Sequence, residues 1–249
     1  MNDLTDRTTI VVGASRGLGR GIAAAFAEAG APVVAVARTA AALAELAGDG
    51  AGTIAAEAAD AGDADVAGSL LDRYEPQVVI LVAGAGPVLR PLQEQTWDTF
   101  SVNWHADVRI AFHWLRAALR KPLRPGSRVV VISSGAAVAG SPLSGGYAGA
   151  KATQRFITGY AQEEAGRAGL GITFTAVLPR ITPLTDLGRP AVRAYAARSG
   201  RSEEEYVRQL GEPLTPEGAG AALVELVRAD ASTVEPGYLL TGAGLQTLP

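Results

Sequence analysis

The stretch that decides the fold is Thr8-Thr9-Ile10-Val11-Val12-Gly13-Ala14-Ser15-Arg16-Gly17-Leu18-Gly19. It starts as an apolar run typical of a buried strand and passes through three glycines into a helical pattern that begins at Gly17. Glycines spaced G-x-x-x-G-x-G let the backbone turn tightly, and the first N–H groups of a helix attract anions. The stretch therefore predicts a strand, a glycine loop and a helix that together bind a phosphate-bearing ligand.

The alternation of strand and helix continues along the chain. Most of the predicted strands are continuous apolar runs, which is typical of parallel strands covered on both faces; they are Thr8–Val12, Pro32–Ala37, Gly52–Ala58, Val78–Ala83, Arg128–Ser133, Ile172–Leu178 and Tyr238–Thr241. The predicted helices are Gly17–Ala29, Ala40–Ala47, Asp63–Tyr74, Glu94–Leu119, Tyr147–Ala168 and Glu217–Arg228. We predict an α/β fold, a Rossmann-type doubly wound parallel sheet of about seven strands with helices on both faces.

The chain organisation points to one domain. No composition shift, linker or repeat divides residues 1–249. The stretch Pro179–Glu212 breaks the alternation with prolines and two short polar helical patterns, and it would overhang the carboxyl edge of the sheet, so we predict a substrate lid over residues 179–212. Within Glu94–Leu119, apolar residues recur at three- and four-residue steps and predict a buried stripe, namely Trp97, Phe100, Trp104, Val108, Ala111, Leu115 and Leu119.

The composition removes several classes of function. With no cysteine and two histidines, the chain has no disulfide framework or thiolate chemistry and little scope for a metal cluster, so we expect no metal. A net charge of -3 gives no electrostatic case for nucleic acid or anionic lipid. The apolar runs are too short for a membrane span, and the N-terminus has no signal-peptide pattern. We therefore expect a soluble, cytoplasmic protein.

The residues at the end of the second strand indicate which dinucleotide the chain would bind. A dinucleotide with a free ribose 2′-hydroxyl is usually met there by an acidic residue, but this chain has Ala37 followed by Arg38. Arg16 in the glycine loop adds a second cation. Two guanidinium groups favour a 2′-phosphate, and hence NADP(H), although loop arginines are often simply solvated. Asp60 after the third strand is a candidate acceptor for the adenine amino group, or an ordinary loop aspartate.

A second motif indicates proton transfer. Tyr147 and Lys151 are four residues apart and so share one face of a helix. Lysines are only two of the 22 basic residues, so a lysine kept at this position suggests a chemical role. An ammonium near a phenol stabilises the phenolate. Ser134, or its neighbour Ser133 on the opposite side of the strand, would hydrogen-bond a substrate carbonyl at the carboxyl end of the fifth strand.

Taken together and in order, these motifs resemble the short-chain dehydrogenase/reductase family over nearly the whole chain. The pieces that match are Gly13-x-x-x-Gly17-x-Gly19, Asp60, Ala83-Gly84, Asn103, Ser134, Tyr147-x-x-x-Lys151 and Pro179. The resemblance implies that Tyr147 is the general acid or base and that Ser134 orients the substrate. It also implies that Lys151 binds the nicotinamide ribose and that Asn103 holds a water. Cofactor contacts would come from Gly13, Ser15, Arg16, Gly17, Leu18, Gly19, Arg38, Asp60, Ala83, Gly84, Lys151 and Pro179.

The chain departs from the family pattern at three places. Val12 replaces a threonine, and Leu81-Val82 replaces the usual Asn-Asn before Ala83-Gly84. Arg180 follows Pro179 where glycine is usual; it would extend into solvent, narrow the nicotinamide pocket or pair with an acidic group of the substrate. The altered motif at Leu81-Val82 and Arg180 motivate an alternative, a cofactor-binding sensor or structural subunit without turnover.

The leading hypothesis is an NADP(H)-dependent oxidoreductase that interconverts a carbonyl compound and a secondary alcohol. Related chains also catalyse dehydration or epimerisation, so these reactions remain alternatives. The resemblance further implies a homo-oligomer, a dimer or a tetramer, formed through the two long helices around Asn103 and Tyr147.

Overall fold

A computed structural model describes residues 4–48 and 53–248. Within these ranges eight strands form one sheet of order β3-β2-β1-β4-β5-β6-β7-β8, in which β1 to β7 are parallel and β8 is antiparallel to β7. The strands are β1 (Thr9–Val12), β2 (Val33–Ala37), β3 (Ile54–Ala58), β4 (Val78–Leu81), β5 (Arg128–Ile132), β6 (Thr173–Pro179), β7 (Gly237–Thr241) and β8 (Gly244–Thr247). The predicted α/β doubly wound sheet is confirmed, with one strand more than predicted.

The helices lie on both faces of this sheet. They are α1 (Gly17–Glu28), α2 (Ala40–Gly48), α3 (Ala64–Tyr74), α4 (Trp97–Asn103), α5 (Arg109–Arg120), α6 (Ala136–Ala139), α7 (Gly145–Arg167), α8 (Gly188–Arg198), α9 (Glu203–Leu210) and α10 (Pro216–Arg228). The predicted start of the third strand at Gly52 lies outside the described residues. In the part of the chain that is described, no helix is both long and apolar enough to cross a membrane.

The sheet buries both of its faces because successive strand residues point in opposite directions. Val11 packs with α1 and α10, where Phe26 is fully buried, whereas Ile10 and Val12 pack with α3, α5 and α7. Each large apolar side chain buried in this way stabilises the fold by about 1.5–3 kcal/mol. Helices α1 and α10 approach very closely, since a Cβ at Gly21 would lie 2.4 Å from the carbonyl of Pro216.

The predicted helix Glu94–Leu119 is wrong in one important respect. Helix α4 begins at Trp97, and a π-helical turn over Trp104–Val108 separates it from α5. A π turn adds a residue to the helical repeat and rotates the following side chains, so a pattern counted at 3.6 residues per turn loses its phase there. Of the predicted stripe, Trp97 and Trp104 are 72% and 43% exposed, whereas Ala111 and Leu115 are buried as predicted, together with Ile110, Trp114 and Ala118 of α5.

The sequence pattern does not predict β8, because this strand is short and largely polar. Gly244–Thr247 pairs with β7 after a turn in which Gly244 has a φ of 101°, a conformation that favours glycine. Such a hairpin at the sheet edge carries little of the apolar pattern on which strand prediction depends.

Candidate active site

The glycine loop forms one end of a cavity at the carboxyl edge of the sheet. Gly13 has a φ of 95°, and a Cβ there would lie 2.6 Å from the backbone nitrogen of Ala83. A Cβ at Gly19 would lie 2.1 Å from the carbonyl oxygen of Gly13. Side chains at either position would therefore push apart the loop, the start of α1 and the residues after β4, so the two glycines allow the tight turn that the sequence predicts.

The cavity has a volume of about 1250 Å³. That is on the scale of large ligand pockets, which makes room for a cofactor and a substrate together. Most of the residues singled out from the sequence line it: Gly13, Ser15, Arg16, Gly17, Leu18, Gly19, Arg38, Asp60, Ala83, Gly84, Ser134, Tyr147, Lys151, Pro179 and Arg180. They come from the segments that follow β1 to β5, from the end of β6 and the residue after it, and from α7.

Charged side chains line the rim near the glycine loop. Arg16 and Arg38 are both exposed, and the Arg16 guanidinium lies 3.9 Å from the carboxylate of Asp186 in the segment after β6. Asp60 accepts a hydrogen bond of 2.9 Å from the Gly62 backbone, which shapes the loop after β3. The buried indole of Trp114 donates to the carbonyl of Ala61 (3.2 Å) and anchors that loop on α5.

The structure distinguishes the two candidate serines at the end of β5. The Ser133 hydroxyl is buried and donates to the backbone carbonyl of Lys151 at 2.7 Å, so it fastens α7 to the sheet. Ser134 is half-buried, and its oxygen accepts a hydrogen bond from the Ala136 backbone (3.2 Å). Because a hydroxyl that accepts this bond still has its proton to donate, Ser134 is the serine that can serve a ligand in the cavity.

Lys151 is buried behind Tyr147. The Lys151 ammonium lies 5.6 Å from the centre of the Tyr147 ring, and three protein oxygens surround it. These are Ile132 O at 3.2 Å, Gln154 Oε1 at 2.9 Å and Asp107 Oδ1 at 3.0 Å. The first two accept hydrogen bonds from the ammonium, and Asp107 forms an ion pair with it. Burial works against the charged form, but the carboxylate of Asp107 and then Tyr147 oppose it, and the pKa of Lys151 is raised.

Asp107 was not identified from the sequence, although it lies at the centre of the site. Its side chain is 1% exposed. Its second oxygen accepts hydrogen bonds from the Ala85 backbone at 2.9 Å and from the Asn103 amide at 3.1 Å. A Cβ at Gly84 would lie 2.4 Å from Asp107 Oδ1, so the glycine makes room for the carboxylate. The available signal was the four-residue spacing from Asn103, which places the two side chains on one side of a helix.

Asn103 lies behind the cavity wall. Its side chain is buried and donates to the carbonyl of Ala85 at 2.7 Å as well as to Asp107. Gln154, also missed from the sequence, donates to the backbone carbonyl of Asp107 at 2.8 Å while accepting from Lys151. The amides of Asn103 and Gln154 therefore hold the π turn, the loop after β4 and α7 in fixed positions.

The far end of the cavity is formed by the segment after β6. Arg180, Tyr195, Arg198 and Tyr206 line it together with apolar residues such as Leu210. Burial, with a smaller contribution from Tyr195, raises the pKa of the Tyr206 phenol, while Arg180 partly offsets this. The Tyr195 phenol hydrogen-bonds Ser141 and accepts from the Leu143 backbone (3.2 Å), so α8 is tied to the loop before α7.

Comparisons with known proteins agree with this architecture. The chain is 31% identical to the versicolorin reductase of Emericella nidulans over 224 residues, 86% of this chain and 83% of the reductase. It is 29% identical to the hydroxynaphthalene reductase of Aspergillus fumigatus, covering 93% and 89% of the two chains. A short chain dehydrogenase from Burkholderia cenocepacia, solved in complex with NADP, has a similar fold, with a TM-score of 0.78 at 24% identity over 97% and 98% of the chains.

The family model for short chain dehydrogenases matches residues 7–196, which include the glycine loop, Ser134, Tyr147 and Lys151. From this match and the reductase relatives, the chain belongs to the short-chain dehydrogenase/reductase family of oxidoreductases, enzymes that use nicotinamide cofactors and act on small molecules.

Proposed function

We propose that the protein is an NADP(H)-dependent reductase that interconverts a ketone and a secondary alcohol, with Tyr147 as general acid and base. The observation that carries the proposal is the convergence of Tyr147, Ser134 and the glycine loop on one cavity. The loop end suits a dinucleotide, and the serine and tyrosine suit a carbonyl oxygen.

The residues of the chain have distinct roles in the proposed reduction. When bound, the reduced nicotinamide supplies a hydride to the carbonyl carbon. The Ser134 hydroxyl donates a hydrogen bond to the carbonyl oxygen and holds it toward Tyr147. Tyr147 transfers its phenolic proton to that oxygen as the carbon–oxygen double bond becomes single, which completes the alcohol. Lys151 behind the ring stabilises the phenolate that is left until a solvent proton restores the phenol.

Two features of the described residues support NADP(H) as the cofactor. Gly13 and Gly19 let the loop pack tightly against Ala83 and the start of α1, and the first residues of α1 line the cavity, where the N–H groups of a helix N-terminus suit a phosphate. At the end of β2 the chain offers Arg38, and Arg16 lies on the same cavity; both guanidinium groups are exposed and suit a 2′-phosphate. The crystallised relative from Burkholderia cenocepacia binds NADP.

We propose that residues 179–212 are the substrate lid and that the substrate is aromatic. Tyr195, Tyr206 and Leu210 offer flat and apolar surfaces at this end of the cavity. Two relatives are a versicolorin reductase and a hydroxynaphthalene reductase, which agrees with an aromatic substrate. Arg180 on the same wall would donate hydrogen bonds to an acidic or phenolic oxygen of such a substrate.

A homo-oligomer, a dimer or a tetramer, is also proposed. Helices α5 and α7 and the π turn between α4 and α5 expose large aromatic side chains, Trp104 (43%), Phe112 (52%), Phe156 (58%) and Tyr160 (59%). Exposed apolar groups concentrated on packed helices are typical of a subunit interface. Sedimentation of the wild type and of Phe156→Glu at micromolar concentration tests this: a monomeric wild type would contradict it.

The decisive experiment combines binding and turnover. We expect NADPH to bind at least about tenfold more tightly than NADH, because one charge-assisted contact to the 2′-phosphate contributes about 1.4 kcal/mol or more. We also expect NADPH oxidation with a panel of aryl ketones that includes hydroxynaphthalene-type ketones. Tyr147→Phe should reduce turnover by about 10²–10⁴-fold. The matched control is Tyr74→Phe on α3, outside the cavity, which should retain activity.

Three other outcomes would contradict the proposed function. Equal affinities for the two cofactors, or tighter binding of NADH, would overturn the cofactor assignment. NADPH binding without oxidation on any ketone, unchanged in Tyr147→Phe, would instead indicate a cofactor-binding sensor. Conversion of an alcohol or sugar without net redox change would indicate a dehydratase or epimerase.

A further inference from the structure

The buried side chains around Lys151 include a carboxylic acid, Asp107, to which the proposed reaction assigns no role. Asp107 Oδ1 lies 3.0 Å from the Lys151 ammonium, with the two side chains 1% and 6% exposed. The carboxylate is held from the other side by the backbone N–H of Ala85 and by the amide of Asn103. A buried charge pair fixed by further hydrogen bonds is costly to assemble, and such groups concentrate at functional sites.

We propose that Asp107 is a positioning residue whose carboxylate holds and neutralises the Lys151 ammonium and thereby sets the pH at which the Tyr147–Lys151 pair loses its first proton. This inference rests on the proposed function, because it concerns the group that gives the proton to the substrate. Asp107 acts through Lys151 and touches neither substrate nor cofactor in the proposed reaction.

The surroundings of Lys151 support the electrostatic part. The titratable groups that face its ammonium are Asp107 on the π turn and Tyr147 on its own helix. The other groups that contact the ammonium are uncharged: the backbone carbonyl of Ile132 and the side-chain amide of Gln154. With the carboxylate, the buried core of the site carries one positive and one negative charge. Without it, the positive charge would be uncompensated.

The sign of the expected effect follows from charge alone. A nearby negative charge makes it harder to remove a proton from the Tyr147–Lys151 pair, whichever member gives it up. Reduction needs both protons in place, one to donate and one to keep the ammonium charged. Neutral Asp107→Asn should therefore move the alkaline limb of the pH profile of kcat/KM for ketone reduction to lower pH, by about 1–2 units.

The test compares Asp107→Asn with Gln154→Met. Asparagine keeps an oxygen for the Ala85 and Asn103 donors but removes the charge, whereas Gln154→Met breaks contacts to the same ammonium without changing charge. We expect the limb to move further in Asp107→Asn, which removes a charge, than in Gln154→Met, which removes only a neutral hydrogen-bond acceptor. An unmoved limb in Asp107→Asn, or an equal shift in both variants, would overturn the inference and leave Asp107 a structural residue.

If Asp107→Asn does not fold, Gln154→Glu decides the question. It places a second carboxylate beside the ammonium, in the position from which Gln154 Oε1 now contacts Nζ at 2.9 Å. The alkaline limb should then move to higher pH. A limb that stays in place or moves to lower pH would contradict control of the pair by local charge.

A measurement without cofactor or turnover separates this inference from the proposed function. The raised pKa of Lys151 means that its contribution to stability is present below the ordinary lysine range and is lost only above it, so the wild type gains no slope from Lys151 between pH 7 and 9. In Asp107→Asn burial dominates and the ammonium is disfavoured in the folded state. The folding equilibrium constant should then rise with pH, by up to about tenfold per unit.

The proposed reaction and the proposed role of Asp107 can fail independently, and the measurements distinguish the two cases. A wild type without ketone turnover but with this contrast in unfolding refutes the proposed reaction and keeps Asp107 as the counter-charge of Lys151. Turnover abolished by Tyr147→Phe, combined with parallel unfolding curves for the wild type and Asp107→Asn, refutes the role of Asp107 and keeps the reaction.

Discussion

The two lysines of the chain occupy opposite environments. Lys121 follows α5 and pairs with Asp72 at the surface, where both side chains are more than half exposed. Lys151 lies inside the protein and pairs with Asp107, where both are almost fully buried. The chemical groups are the same, yet water screens the first pair and is excluded from the second. The difference teaches that the role of a lysine here depends on its burial and on the groups that hold its partner.

The largest contrast is expected in catalysis. Lys151→Arg should lower turnover by about 10²–10³-fold, because the planar guanidinium does not fit among the three oxygens that surround the ammonium. Lys121→Arg keeps a charge in solvent and should leave turnover unchanged. Ketone reduction by purified variants of equal cofactor affinity measures both, and equal activity of the two variants would refute the distinction.

The next contrast is in the free energy of unfolding. Asp107→Asn leaves a buried ammonium without its counter-charge and should lower the unfolding free energy by about 3–5 kcal/mol. Asp72→Asn removes the partner of Lys121 and should lower it by less than about 1 kcal/mol. Urea unfolding at pH 7 gives both values. Comparable losses would mean that burial does not distinguish the two pairs.

A smaller change in the unfolding free energy is expected when both charges of a pair are removed at once. Replacing a buried ion pair by apolar groups of similar size is often neutral, so Asp107→Leu combined with Lys151→Met should recover most of the stability that Asp107→Asn loses. The same treatment of Asp72 and Lys121 should show coupling of about 0.5 kcal/mol or less. A double variant as unstable as the single one would show that the hydrogen bonds to Ala85 and Asn103, rather than the charge, dominate.

The smallest effect is the response to salt. Raising the ionic strength from about 0.1 to 1 M shortens the screening length from about 10 to 3 Å. The contribution of the Lys121 pair, measured from Asp72→Asn, should fall by a few tenths of a kcal/mol, whereas that of the Lys151 pair should not change. A buried pair that weakens with salt as much as the surface pair would indicate that water reaches Asp107.

Much of the fold follows from local sequence pattern. Continuous apolar runs and the glycine loop predict the parallel sheet, because burial on both faces leaves a clear signal in each strand. The i, i+4 spacing of Tyr147 and Lys151 likewise predicts a shared helix face, and both residues line the cavity. Patterns of this kind can be recognised in the sequence because they depend only on residues that are close together along the chain.

Other parts depend on contacts that the sequence does not display. The predicted stripe fails at Trp97 and Trp104, and no apolar pattern shows that Asp107, on the π turn at Trp104–Val108, points inward. Gln154 on α7 hydrogen-bonds Asp107 on the π turn, although the two residues are 47 positions apart in the sequence. The choice between Ser133 and Ser134 needed the hydrogen bond from Ser133 to Lys151. Tertiary contacts decide each of these cases.

The missing side chain at Gly84 has a consequence for how this site can change over evolutionary time. Because a Cβ there would lie 2.4 Å from Asp107 Oδ1, an alanine at position 84 is incompatible with the carboxylate in its present place. Any lineage that replaces the glycine must first give up or relocate the acid, and a lineage that keeps the acid keeps the glycine. An acid at position 107 is therefore expected to occur only together with glycine at position 84, whereas the acid can be replaced while the glycine stays.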